Sequence, residues 1–204
     1  TSSDSNSFTR TTISNVTSTE PTANGMTAGI TIWSVLNNPC INNTFNTTNI
    51  SDMNQTGTLG SSVGIQVGGA ATSNVANTGN TFTTTNISDI DGVDRARGVI
   101  VTTGSSVTFN GGSISDFSAP TVNRGFWIFS DGSPVAASVA ATITNMTISI
   151  IGTNGTGIHV GGGAPSPAVD ASLTSIHSST ITGNTLYGIN NLVTGTLNAD
   201  NNWW

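Results

Sequence analysis

A chain of 204 residues with four Arg, no Lys and ten acidic side chains carries a net charge of −6, so it has few cations with which to displace phosphate counterions from a nucleic acid. Only 7% of its residues are charged, against roughly 25% in ordinary globular proteins. Ser, Thr, Asn and Gly must carry the surface, which leaves little equipment for general acid–base chemistry. The lone Cys40 excludes an internal disulfide or a Cys-based zinc site, and no apolar run reaches the ~18 residues of a membrane span.

Residues 1–7 read as a flexible Ser/Thr-rich lead-in. Structure is expected from Phe8, where a frame begins: Phe8, then Ile13, Ser14, Asn15 and Val16. A turn at Asn24-Gly25 precedes the alternating strand Gly29-Ile30-Thr31-Ile32. Cys40 is expected as a buried residue in the strand that leads to Phe45. The frame then returns in full as Phe45, Ile50, Ser51, Asp52 and Met53, followed by Gly64-Ile65-Gln66-Val67.

It returns again as Phe82, Ile87, Ser88, Asp89 and Ile90, with Gly98-Val99-Ile100-Val101 behind it, and as Phe109, Ile114, Ser115, Asp116 and Phe117, with Gly125-Phe126-Trp127-Ile128. Weaker copies start at Ile143 and Ile176, each trailed by its glycine strand, Gly157-Ile158-His159-Val160 and Gly188-Ile189-Asn190-Asn191. The six frame starts are 37, 37, 27, 34 and 33 residues apart. A repeat of this length means stacked units, and period-two alternation inside each unit means that the units are strands. The fold class is therefore all-β, a parallel β-helix (β-solenoid) of about six turns with three short strands per turn. In the second unit the strands are expected near 64–67, 80–83 and 85–90, and in the third near 98–102, 106–110 and 113–117. Residues 8–204 form one such domain.

The residue two places after the repeated Ile is Asn15, Asp52, Asp89 and Asp116 in successive copies. In register, three carboxylates stack, and must face water, shift their pKa or hold a cation. With Asp91 and Asp94 close by in sequence, Asp52 and Asp89 suggest a Ca2+ site. The competing reading makes them strand-end turn residues, with Arg95 and Arg97 neutralising the cluster. The alternation places Trp127 and Phe129 on one face, where Trp127 serves as a sugar platform or a subunit contact, with Phe129 beside it, or is partly buried under a long loop. His159 and His177 are read as polar surface residues. Thr83-Thr84-Thr85 suggests an ice-ordering array, but the column before the repeated Ile (Thr12, Asn49, Asn86, Ser113, Thr147, Thr180) is too mixed for one.

The Gly-Ile-x-Val strands, the Asn-rich turns and the closing Asn201-Asn202-Trp203-Trp204 resemble right-handed parallel β-helix repeat proteins of the pectate-lyase-like superfamily. The resemblance covers residues 8 to 204 and implies a right-handed coil. It also implies that more chain commonly follows the Trp pair, as in a segment of a longer repeat protein. Many such proteins are polysaccharide lyases or glycoside hydrolases, yet none of the Asn-Thr-Asp, Gly-Asp-Asp or Gly-His-Gly signatures is present. The expectation is a stiff module of a secreted or cell-surface protein, an adhesin, fibre or filament subunit, joined head to tail to other copies through contacts such as Trp203 and Trp204. The alternative is a β-helix that binds or cleaves polysaccharide, with surface glycans as partners.

Overall fold

The computed structural model describes residues 4–19, 26–58, 60–70, 75–132, 138–163 and 169–204. Within them the chain is a parallel β-solenoid with three sheets. The long sheet stacks Ser7–Ile13, Thr44–Ile50, Asn80–Ile87, Ser106–Ser115 and Ala140–Ser149, the last of which pairs with both Ser175–His177 and Thr180–Ile181. The glycine sheet stacks Met26–Ser34, Ser61–Gly69, Arg95–Val101, Val122–Ser130, Gly155–Gly163 and Tyr187–Asn191. Between them a small corner sheet stacks Val16–Ser18, Met53–Gln55, Ile90–Asp91 and Phe117–Ser118. Six rungs in each large sheet are linked by five passes of the chain, so there are about five turns; counting copies of the frame gives rungs, one more than turns. No helix among the described residues is long and apolar enough to cross a membrane.

Register follows the frame. Phe8 lies over Phe45, Phe45 over Phe82 and Phe82 over Phe109, while Ile50, Ile87 and Ile114 align in the same way. The four rings form one interior pile, with centroids 4.7, 4.5 and 4.7 Å apart and planes within 9° of parallel. Parallel in-register pairing stacks each side chain on its own kind at the strand spacing. Phe126, from the glycine sheet, closes the pile edge-on to Phe109 at 5.1 Å.

Strict alternation would put Phe45 and Ile50, five residues apart, on opposite faces, yet both are buried. The residue two after the aromatic resolves this. Arg10, Thr47, Thr84, Asn145 and Ser178 have φ of 57, 58, 52, 55 and 50°, and Gly111 has 82°. Each of these left-handed residues steps out of the ladder, so that pairing passes from Asn46–Thr83 directly to Thr48–Thr85 and the inward phase is reset. The strands expected at 80–83 and 85–90 are therefore one kinked strand, Asn80–Ile87, broken at Thr84, and the third strand of that turn is the short Ile90–Asp91. After Phe117–Ser118 the corner sheet has no further strand among the described residues, so the last turns carry two strands.

The glycine of the second marker is a point of close approach. A Cβ added at Gly64 would lie 2.7 Å from Gly98 O and 2.7 Å from Ile87 Cγ2; one added at Gly98 would lie 2.6 Å from Gly125 O and 2.8 Å from Ile114 Cγ2. The two repeated marks are thus two sides of one contact, an Ile of the long sheet seated on a bare stretch of the glycine sheet.

An amide ladder runs beside the Phe pile. Asn43 Oδ1 accepts from Asn6 N–H at 3.1 Å, and Asn80 Oδ1 accepts from Asn43 N–H at 3.0 Å. Ordered pairing therefore begins before Phe8: Ser5 N–H donates to Ile41 O, and Ser7 pairs with Thr44. Cys40 lies outside any strand and is half-buried, packed against the core from a loop. The first three residues of the lead-in and the Asn24-Gly25 turn lie outside the described residues.

Candidate functional site

Asn15, Asp52, Asp89 and Asp116 form a second left-handed column, with φ of 57, 52, 52 and 58°, at the bend between the long and corner sheets. Asn and Asp tolerate this conformation better than most residues. The backbone gains from it: Val16 N–H donates to Asp52 O, Met53 N–H to Asp89 O and Ile90 N–H to Asp116 O, at 3.0 to 3.1 Å. The carboxylates themselves are exposed and accept from the preceding serines, Ser51, Ser88 and Ser115, at 3.0, 2.9 and 2.7 Å. This is the strand-end role, with serine hydroxyls in place of backbone donors.

The four residues read as a calcium set are divided. Asp52, Asp89 and Asp91 share a shallow groove of about 310 Å3 with Asn15, Thr17 and Asn54. Burial, then Asp89 and Asp52, raise the Asp91 carboxyl above its ordinary value. Asp94 does not line this groove; its carboxylate stands 2.9 Å from Arg95 Nε. Among the described residues no group of three or more His, Cys, Asp or Glu side chains is placed to hold a metal ion.

The outward face of the glycine sheet carries a different chemistry. Trp127 and Phe129 point the same way, as alternation requires, and stack at 3.7 Å with an 11° interplanar angle. The guanidinium carbons of Arg97 and Arg124 lie over the Trp127 ring at 4.5 and 4.6 Å from its centroid. With Phe129 flat against one face, the arginines are left the other. The indole N–H donates to Gly161 O at 3.4 Å. Both faces of Trp127 are therefore occupied, and the ring positions guanidinium groups instead of offering a bare platform to a sugar.

Arg97 and Arg124 are partners in parallel register, one rung apart. Arg97 is only 5% exposed, although it sits on the outward side of its strand. Its Nη1 donates to Ser61 Oγ at 3.1 Å, while its buried Nε has no acceptor. Burial, then Arg124 and Arg95, push the Arg97 guanidinium down to about 9, against a small opposing pull from Asp94. Burial and Arg95 lower Arg124 as well. Of the two arginines expected to neutralise the acidic cluster, only Arg95 has a carboxylate partner among the described residues.

His159, in register with Trp127, is 7% exposed and so is not a surface residue; burial, then Arg124, push it down to about 4. His177 is half-buried and pairs with Asp200. Trp203 continues the long sheet through a bridge to Thr180 and is 73% exposed. Trp204, 60% exposed, lies against Gly188 in the place that an Ile takes over each earlier glycine. No family model matches this chain, and no curated protein or solved structure matches it either. The likeness to β-helix repeat proteins therefore rests on the parallel β-solenoid alone.

Proposed function

We propose that this solenoid is a stiff structural segment of an extracellular surface assembly, an adhesin, fibre or filament subunit, whose end rungs meet a second copy head to tail. The observation that carries this reading is the distribution of exposed apolar side chains. Phe8 (43% exposed), Met26, Val35 and Leu36 belong to the first rung and its loop; Ile151, Leu173, Leu186, Tyr187, Leu192, Trp203 and Trp204 belong to the last two turns. Between Leu36 and Ile151 no described large apolar residue is exposed.

End strands also present unpaired N–H and C=O groups that template another strand, and each rung contacts only its neighbours, so a rod lengthens by addition. A heterologous contact of this kind propagates into a filament. Sedimentation over a rising concentration series tests the proposal. Elongated oligomers are expected, and Phe8→Asp should shift them toward monomer. A species that stays monomeric at every concentration sinks the reading.

A polysaccharide-binding face is the second reading, favoured by one observation, the paired arginines on the outer side of the glycine sheet. A glycan array probed with the wild type and Arg124→Gln side by side tests it; equal signals from both proteins count against it.

A further inference from the structure

We propose that Arg97 and Arg124, held over Trp127, form a binding site for a tetrahedral oxyanion, a sulfate or phosphate group, on the outer face of the glycine sheet. Two positive groups share one indole face, in adjacent rungs, with no carboxylate among the described residues paired to either. In a chain with ten acidic residues and only four cations, two of those cations are placed together, with a cation–π contact to the indole to set against their mutual repulsion. Like charges this close repel, and burial strengthens the repulsion by lowering the local dielectric. An anion between them reverses the sign of that interaction.

The fittings are those of recognition. Guanidinium groups present N–H donors in a rigid fork that matches oxyanions. Arg97 uses its Nη1 for Ser61 and its Nε finds no acceptor, so the group is under-satisfied where it lies. Arg124 is half-buried and its side chain makes no hydrogen bond among the described residues, which leaves the guanidinium donors for a ligand that approaches from solvent. Trp127 is itself fixed by Phe129 and Gly161, so the pair rests on an ordered base. Next to them, His159 is held neutral near pH 7 by burial and by Arg124, and presents no competing cation.

Nucleic acid is the less favoured carrier of the phosphate, because the chain outside this pair has only Arg10 and Arg95 as cations, against ten acidic residues, and affords no run of phosphate contacts. The inference is independent of head-to-tail assembly. It deepens the second reading above, and it can succeed where that reading fails, because a free anion is read separately from any glycan.

The four arginines are the only guanidinium groups in the chain, so a nitrogen–proton spectrum of the Nε–H groups resolves the question residue by residue. Sodium sulfate, and separately sodium phosphate, are titrated at constant ionic strength against sodium chloride. Saturable shifts at Arg97 and Arg124, with Arg10 unmoved, are expected. Arg124→Gln, with its fold checked by circular dichroism, should weaken the response at Arg97 at least tenfold, and Arg124→Lys should restore it only in part. Dextran sulfate and plain dextran form the last arm. A response to the free anion and to the sulfated polymer assigns the site to sulfated glycans; a response to the free anion alone assigns it to a small ligand. Shifts that match chloride, or that move all four arginines alike, overturn the proposal.

Discussion

The inner and outer faces of the glycine sheet are made by the same strands and obey opposite rules. Along Val122–Ser130 the inward residues Phe126 and Ile128 are fully buried and stand in columns of Val and Ile from the neighbouring rungs. The outward residues Arg124, Trp127 and Phe129 stand in columns that read Ala28, Val63, Arg97, Arg124, Thr156, Tyr187, or Thr31, Gln66, Ile100, Trp127, His159, Asn190. Inside, each side chain must fit its counterpart one rung away, so like is stacked on like and the sequence repeats. Outside, the fold makes no such demand. A group of side chains that occurs once, as the Arg–Trp–Arg group does, is where specific chemistry is to be sought.

The largest effect should come from the interior pile. Phe82→Ala removes a fully buried ring stacked on both sides and should cost about 4 kcal/mol. Phe8→Ala, at the open end, should cost about 1 kcal/mol, since that ring is 43% exposed. Equal losses in denaturant melts of the two variants would break the claim that the core is a continuous stack.

Next comes the glycine column. Gly64→Ala forces a methyl to 2.7 Å from the Gly98 carbonyl and from Ile87, and should cost about 2 kcal/mol. A neutral result would mean that the two sheets can separate there.

On the outer face Trp127→Ala should lose about 1 kcal/mol from its aromatic and cation–π contacts while leaving the solenoid intact. A loss as large as that of Phe82→Ala would make the outer group structural and erase the contrast between faces.

His159 gives that contrast a pH signature. The unfolded chain takes up the proton near 6.5, whereas the folded one resists it down to about 4. Stability is therefore complete above pH 6.5 and falls as the pH drops from 6.5 toward 4. His159→Asn should flatten that limb of the melting-temperature profile; an unchanged slope would show that the group is not buried as described.

The smallest change concerns the acidic bend. Asp89→Asn keeps a residue suited to φ near 52° and removes a like charge from Asp91, so its effect should stay within about 0.5 kcal/mol in chelator. Added calcium that stabilises the wild type and not this variant would assign the groove to the ion; identical melts with and without calcium would leave the column to backbone geometry.

Some of this was legible at once. Phe45, Phe82 and Phe109, with the Ile five residues on, gave the solenoid, because stacked rungs are forced to repeat their interior. The same marks could not say why five residues separate two inward side chains, since a left-handed φ at Thr47 or Thr84 leaves no reliable trace in residue type. The ladder from Asn6 to Asn80 passed unseen for a related reason: it stops at Val107 and so does not look like a repeat. Asp94 and Asp91 were grouped by nearness in sequence, but a bend of the chain at Val93 and Asp94 sends one to Arg95 and leaves the other in the groove.

The sequence by itself determined the architecture and the register, because parallel stacking makes the interior of each rung a copy of the last. Only the tertiary structure decided which outward residues meet. Arg97 and Arg124 each precede a marker glycine and so share a register position, but that both guanidinium groups turn over the Trp127 ring depends on side-chain packing that no spacing in the chain records.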